Sequence, residues 1–160
     1  MGVLRTYEIR PVAWVRSTRA EVRDDGWDAE RCTIELDDAV PDEALVGLEA
    51  FSHLDVLYVL DRARDVPPGP WARHPRGNTA WPLVGIFAQR AKERPNRIGL
   101  TTVRVVDVGA RAVDVAGLDC VDGTPVVDLK PHVAALSARG EVAQPGWMDE
   151  LMAGYFGAAR

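Results

Sequence analysis

Short apolar runs, each bounded by glycine, proline or a charged turn, recur along most of this chain of 160 residues. Runs of about four to eight residues that are rich in valine and isoleucine are typical of β-strands. They predict strands over Tyr7–Ser17, Cys32–Leu36, Leu54–Leu60, Leu83–Ala88, Ile98–Asp107, Ala112–Ala116 and Pro125–Leu129. Many short strands with a few short helices favour a mostly β, antiparallel, barrel-like fold, with one domain over residues 1–160.

Three stretches depart from the strand pattern. Pro41–His53 predicts a helix, because its first turn is acidic and so suits the positive end of the helix dipole. Met148–Phe156 has the amphipathic pattern of a second short helix. Asp61–Trp81 is rich in proline, glycine and tryptophan, and it predicts either a plain surface loop or a lid that faces a substrate. Pro11, inside the first predicted strand, indicates an edge strand or a bend.

The composition indicates an ordinary globular protein with 47% hydrophobic residues and a net charge of −5. This acidic balance argues against a broad nucleic-acid-binding surface, although a local basic patch is compatible with it. Cys32 and Cys120 are far apart and lack CxxC spacing, so both are predicted to be free thiols in a reducing compartment. No apolar run approaches the roughly 18 residues of a membrane span, and no signal peptide is expected. We therefore expect a cytoplasmic protein.

Several enzyme classes lack their motifs in this sequence. It has no G-x-S-x-G of a nucleophile elbow, no G-x-x-x-x-G-K-[ST] of a P-loop, and no G-x-G-x-x-G of a Rossmann cofactor site. The three histidines, His53, His74 and His132, are widely spaced, so we predict no metal site.

Two loops of opposite charge are the candidate functional elements. The basic loop spans residues 90–97, where Arg90 and Arg94 could bind a carboxylate or phosphate through paired hydrogen bonds. In the acidic loop, residues 119–124, Asp119 and Asp122 could bind a cation or ribose hydroxyls. Both loops are also typical of ordinary solvated turns, so charge alone leaves open whether each loop binds a ligand or only turns the chain.

Three segments carry a family resemblance: GLEAFSHL at 47–54, GIFAQR…RPN-x-IGL at 85–100, and GLDCVDGTPVVDLKP at 117–131. In order and spacing they resemble the TsaA-like or TrmO family, and the opening strand that ends in Ser17 also fits. The resemblance implies an S-adenosylmethionine-dependent methyltransferase with a β-barrel-like fold, unlike the Rossmann type. It also implies a homodimer that holds the cofactor near the subunit interface. The best-described activity of the family is N6-methylation of threonylcarbamoyladenosine next to the anticodon of tRNA.

The resemblance also implies a set of site residues, carried over by motif. The cofactor-binding positions would be Asp61, Arg62, Arg90, Leu100, Val121, Asp122, Gly123 and Thr124. Apart from the motif, we take Arg94, Asn96 and His53 as candidate substrate contacts, and Asp122 and Asp128 as candidates for a general base that the sequence does not rank. Such a base is needed only if the accepting nitrogen must lose a proton.

The chain departs from the family pattern in three places. Asp61 and Arg62 stand where the family often has His-Gln, so the side-chain contacts there must differ. Between Arg90 and Thr101 it loses a serine and two prolines and gains charge, and Arg19–Trp27 replaces a segment that contains proline and glutamine. Full-length tRNA-modifying members also have an additional C-terminal domain. Three hypotheses follow. The first is methylation of tRNA adenosine, the second is methylation of a small molecule in specialised metabolism, and the third is a module that binds S-adenosylmethionine without turnover. The acidic pI near 5.2 favours the second.

Overall fold

A computed structural model describes residues 5–64 and 70–157 and confirms the mostly β prediction. The strands are β1 (Ala13–Ser17), β2 (Arg31–Leu36), β3 (His53–Val59), β4 (Ala72–Arg73), β5 (Val84–Gly85), β6 (Ile98–Val108), β7 (Ala112–Ala116) and β8 (Pro125–Pro131). The helix α1 spans Gly146–Met152, and 3-10 turns occur at Asp42–Leu45, Leu48–Ala50, Pro75–Gly77, Ile86–Ala88, Pro95–Arg97 and Ala134–Leu136. No helix in these two ranges is long and apolar enough to cross a bilayer.

Six of the strands close into an antiparallel barrel in the order β1-β2-β7-β6-β3-β8, and β4 and β5 form a separate ribbon. Because neighbouring strands alternate in direction, β1, β3 and β7 all end at the same end of the barrel. The connections formed by residues 18–30, 60–97 and 117–124 therefore meet there. We call the end where these three connections meet the near end of the barrel. Functional groups concentrate on connections that a rigid scaffold holds in place, so a site is expected at the near end.

Alternate residues of the barrel strands point inward and form the core. Val15, Ile34, Val56, Val103 and Val115 are among the fully buried side chains. Intervening positions are polar on several strands, which explains the alternating sequence pattern.

Both cysteines are buried and free, as predicted. Burial raises the pKa of the Cys32 and Cys120 thiols, so both act as neutral packing groups.

The first predicted strand is too long. It begins only at Ala13, because Pro11 has no N–H group with which to extend the ladder. It is also not an edge strand, since Ala13 pairs with Leu36 on one side and with Val126 on the other.

The helix predicted over Pro41–His53 is instead two separate 3-10 turns. Gly47 lies between them with φ of 88°, a left-handed conformation that cannot continue a right-handed helix. The C-terminal helix is present, but it begins at Gly146 and ends at Met152.

The strand predicted over Leu83–Ala88 is reduced to β5, followed by a 3-10 turn. The buried side chain of Gln89 donates to the carbonyl groups of Val84 (2.9 Å) and Arg73 (3.1 Å), which folds the chain back onto the ribbon. The stretch predicted as irregular contains β4, and its residues 65–69 lie outside the described ranges.

Gly99 provides a test of the packing between β3 and β6. It pairs with Tyr58, and an added Cβ atom would lie 2.2 Å from Cε2 of the Tyr58 ring. We expect Gly99→Ala to lower the free energy of unfolding by about 2 kcal/mol or more, measured by urea denaturation. Gly146→Ala is the control, since nothing lies within 4 Å of its added Cβ. Equal stability of the two variants would contradict this packing.

Candidate functional site

A cleft of about 1110 Å³ opens at the near end of the barrel. Its walls come from the end of β3, the start of β6, the basic loop, the acidic loop and the C-terminal segment, by which we mean residues 132–157. Single small-molecule sites usually have volumes of roughly 300–1,000 Å³. The cleft is therefore large enough for a nucleotide-sized ligand together with part of a second molecule.

The basic loop is tied to the end of β3 through Arg97. The Arg97 guanidinium donates to the carbonyl of Ala63 (3.1 Å), and the Leu60 N–H donates to the carbonyl of Arg97 (2.8 Å). Asn96 and Arg97 both have positive φ, 61° and 50°, which is uncommon for residues other than glycine. Such a conformation persists where surrounding contacts hold it, and this frequently occurs at functional sites.

Arg90 and Arg94 line the cleft and are held by backbone carbonyls. Arg90 Nη2 donates to the carbonyl of Leu100 (2.5 Å), and Arg94 Nη1 donates to that of Gln89 (2.9 Å). Within the described ranges, neither guanidinium forms a salt bridge, whereas Glu93 between them pairs with other arginines. Hydrogen bonds from those arginines lower the pKa of Glu93. Two guanidinium groups thus keep their charge available for an anionic ligand.

The acidic loop is clamped by Arg62. Its guanidinium donates to the carbonyls of Ala20 (2.8 Å) and Asp122 (2.7 Å), which joins the connection after β1 to the acidic loop. The Asp122 carboxylate accepts the backbone N–H of Ser17 (3.0 Å). Thr124 is buried and donates to the carbonyl of Val121 (2.8 Å). These hydrogen bonds hold the acidic loop in its observed conformation.

Asp119 is a carboxylate on the cleft wall that is surrounded by hydroxyl groups. Tyr58 donates to its Oδ1 (2.7 Å), Thr101 donates to the same oxygen, and Tyr155 donates to Oδ2. Burial, and the nearby Asp119 charge, raise the pKa of both tyrosines, so both phenols remain protonated donors. The carboxylate is therefore fixed in orientation while one of its sides still faces the cleft.

The structure brings most of the sequence-predicted site residues to this one cleft. The predicted residues that line it are Asp61, Arg62, Arg90, Arg94, Leu100, Val121 and Thr124. The two carboxylates suggested as a general base do not line it within the described ranges. Asp122 is bound to the Ser17 N–H, and Asp128 pairs with Lys130 at 2.7 Å.

The remaining predicted residues lie elsewhere. Gly123 lies beside Arg62, since a Cβ atom added to it would be 3.8 Å from Arg62 Nη2. Asn96 is exposed on the basic loop. His53 begins β3 at the opposite, far end of the barrel. No group of three or more His, Cys, Asp or Glu side chains in residues 5–64 and 70–157 is placed to hold a metal ion.

Sequence reasoning did not find the hydroxyl groups around Asp119 or the contribution of the C-terminal segment. Asp119 was a candidate only for binding a cation or ribose. Tyr58 lies 61 residues away from Asp119 along the chain, and Tyr155 lies 36 residues away. Tyr58 shares the inward phase of Leu54 and Val56 on β3, a local signal from which its place inside the barrel could be predicted.

Comparison with known proteins gives a consistent result. Residues 18–138 match the family described as tRNA-methyltransferase O N-terminal domain. The chain is 37% identical over 141 residues to a "Probable S-adenosyl-L-methionine-binding protein" of Methanothermobacter thermautotrophicus, covering 82% of this chain and 94% of that protein. It is 36% identical over 105 residues to the human "tRNA (adenine(37)-N6)-methyltransferase", covering 66% of this chain and 23% of that protein.

Solved structures agree with the fold. The crystal structure of TrmO from Pseudomonas aeruginosa superposes with a TM-score of 0.73 at 32% identity, covering 91% of this chain and 64% of that chain. This chain thus spans less than two thirds of that protein and about a quarter of the human relative.

The raised pKa of Tyr58 predicts a loss of stability in alkaline solution. Below about pH 10 the phenol is protonated in both the folded and the unfolded chain, so its contribution is constant. Above that pH the unfolded chain loses a proton that the folded chain keeps, and the free energy of unfolding falls by up to about 1.4 kcal/mol per pH unit. We expect Tyr58→Phe to show a shallower fall between pH 10 and 11 in urea denaturation. If the free energy of unfolding fell equally steeply with pH in Tyr58→Phe and in wild type, a raised pKa of Tyr58 would be contradicted.

Proposed function

The chain belongs to the family described as tRNA-methyltransferase O N-terminal domain, and on that premise we propose that it transfers a methyl group from S-adenosylmethionine to tRNA. The proposed acceptor is N6 of the adenosine next to the anticodon. The observation that carries this proposal is the convergence of motif-matched residues on one cleft, from the connection 60–97, from the start of β6 and from the acidic loop, which also contains the Asp119 carboxylate.

The groups around the cleft fit the chemistry of S-adenosylmethionine. Arg90 presents an exposed guanidinium that can bind the carboxylate of the cofactor, and Asp61 presents an exposed carboxylate for its amino group. Leu100 and Phe87 are exposed on the cleft wall and can pack against the adenine ring. When bound, the cofactor supplies a methyl group activated by a positively charged sulfur.

Asp119 is the residue to which we assign the proton chemistry. Methylation of a nitrogen that carries hydrogen releases one proton, and a positioned carboxylate can receive it. Within the described part of the chain, Tyr58 and Thr101 both donate to Oδ1, whereas Tyr155 is the one donor to Oδ2. A carboxylate oxygen has two lone pairs, so Oδ2 can accept a second hydrogen bond from an acceptor N–H. This assignment replaces the two bases suggested by the sequence.

The charges around the cleft support an anionic substrate. Among the described residues, seven arginine and lysine side chains and four acidic side chains line it, although the whole chain has a net charge of −5. A local excess of arginine is what phosphate recognition requires. A small molecule is the second candidate acceptor, and it is favoured by the net negative charge, which opposes a wide nucleic-acid contact.

We also propose a cytoplasmic homodimer. Trp71 and Phe87 are 51% and 76% exposed, pack together with ring centroids 6.3 Å apart, and adjoin the cleft. Exposed aromatic side chains of this kind frequently mark a protein contact, and sedimentation equilibrium would detect a dimer here. The two free thiols are compatible with a reducing compartment.

The proposed function is tested by incubating the protein with methyl-labelled S-adenosylmethionine and with tRNA that carries threonylcarbamoyladenosine next to the anticodon but no N6-methyl group. We expect label on N6 of the adenosine next to the anticodon, identified by nuclease digestion and mass spectrometry. We expect Arg90→Ala to weaken S-adenosylmethionine binding at least about tenfold in calorimetric titration, because a carboxylate loses a charged hydrogen-bond partner.

Arg16→Ala is the matched control. Arg16 pairs with Glu35 across β1 and β2 at 2.8 Å and lies outside the set of described residues that line the cleft. The Arg16→Ala variant should therefore bind S-adenosylmethionine with the wild-type affinity. Absence of binding at millimolar cofactor would overturn the methyltransferase proposal. Binding without transfer to tRNA would point to the small-molecule acceptor or to a binding module.

A further inference from the structure

The C-terminal segment returns to the cleft after leaving the barrel at its far end. β8 ends beside the start of β3, where Pro131 pairs with Leu54 and the His132 N–H donates to the carbonyl of His53 (3.0 Å). Tyr155 nevertheless reaches Asp119 at the near end. Residues 132–145 must therefore run back along the length of the barrel. The part that reaches the cleft, residues 146–157, lies outside the region 18–138 that matches the family.

Specific contacts hold this segment in place. The Trp81 indole N–H donates to the carboxylate of Glu150 (2.8 Å), and its ring lies beside Trp147 with centroids 6.4 Å apart. The backbone N–H groups of Trp27 and Asp28 donate to the carbonyls of residues 155 (3.0 Å) and 156 (2.8 Å). The segment is thus attached to the two connections that follow β1 and β3.

The segment gives the cleft a second wall whose chemistry differs from the first. The first wall, which includes Arg62, Arg90 and Arg94, is called the arginine wall. The second, called the aromatic wall, presents Trp147, Met148, Leu151, Met152, Tyr155 and Phe156. Aromatic side chains bind a planar base by stacking, and methionine adapts its shape to the ligand. Charged groups of a cofactor suit the arginine wall, which leaves the aromatic wall for a flat, weakly charged partner. The volume of about 1110 Å³ allows both at once.

We propose that residues 146–157 form the surface that binds the methyl-accepting base, and that Tyr155 is the positioning residue on that surface. The inference rests on the proposed function, because it names the ligand of this wall as the acceptor. The Tyr155 ring lies on the aromatic wall while its hydroxyl donates to Asp119 Oδ2. A base stacked on that ring has its exocyclic N–H directed toward the second lone pair of the same oxygen. One side chain thereby sets both the plane of the base and the orientation of the carboxylate.

The test separates acceptor binding from cofactor binding and from catalysis. In the full chain, we expect Tyr155→Ala to raise KM for threonylcarbamoylated, unmethylated tRNA at least about tenfold, since the stacking contact with one base is lost. The dissociation constant for S-adenosylmethionine should stay within about twofold of wild type, because the arginine wall is untouched. Tyr155→Phe keeps the ring, so its KM should return to about the wild-type value while kcat falls, because Asp119 Oδ2 has lost its donor.

Tyr7→Ala is the control, because Tyr7 is 79% exposed and lies outside the set of described residues that line the cleft. Hydrogen exchange of the Trp27 and Asp28 amides reports whether the segment stays attached in each variant. Two results would overturn the inference while the proposed function stands. They are an unchanged KM in Tyr155→Ala, and equal losses of tRNA and cofactor affinity in a variant whose amides stay protected. A wild-type protein that binds neither ligand would overturn the proposed function and the inference together.

Discussion

Closure of the barrel between β1 and β8 is the constraint on which the site depends. Only Ala13 and Trp14 pair with β8 in the ladder, and the seam continues through backbone bonds from β1 to the acidic loop. The Gly123 N–H donates to the carbonyl of Val15 (2.8 Å), and the Val15 N–H donates to that of Thr124 (3.0 Å). The same hydrogen bonds that close the barrel therefore fix the acidic loop against β1. Without them, neither the Arg62 clamp nor the cleft would keep its shape.

The chemistry of the cleft follows from how its charges are partnered. Acidic Glu93 is neutralised by neighbouring arginines, whereas Arg90 and Arg94 are bound to carbonyl groups and keep their charge. Asp119 is bound by neutral hydroxyl groups, which fix its position but do not cancel its charge. A site of this kind presents fixed positive and negative groups across a short distance. That arrangement suits a ligand with several charges, and it positions reacting groups at little cost in entropy.

The elements that could be predicted are those whose signal is local. The strand over Ala112–Ala116 was predicted with its observed bounds, because its apolar and acidic residues alternate in phase with one buried face. The helix at 41–53 was wrong because a single glycine adopts a left-handed conformation there. Asp119 and Tyr155 meet only after the C-terminal segment has crossed the barrel, and no pattern in either neighbourhood encodes that meeting. The arginines of the basic loop that line the cleft lie within family motifs and could be found from them, whereas residues 146–157 lie outside the matched region.

We propose that the near-end cleft is the binding site for S-adenosylmethionine, and amide chemical-shift mapping tests this proposal directly. Unlabelled cofactor is titrated into the ¹⁵N-labelled full chain, and the shifted amides are placed on the structure. We expect the largest shifts in residues 58–62, 89–101 and 119–124, which form the arginine wall and its surroundings. Shifts confined to the far end, in residues 37–52 and 109–111, would contradict it, as would an unchanged spectrum at millimolar cofactor.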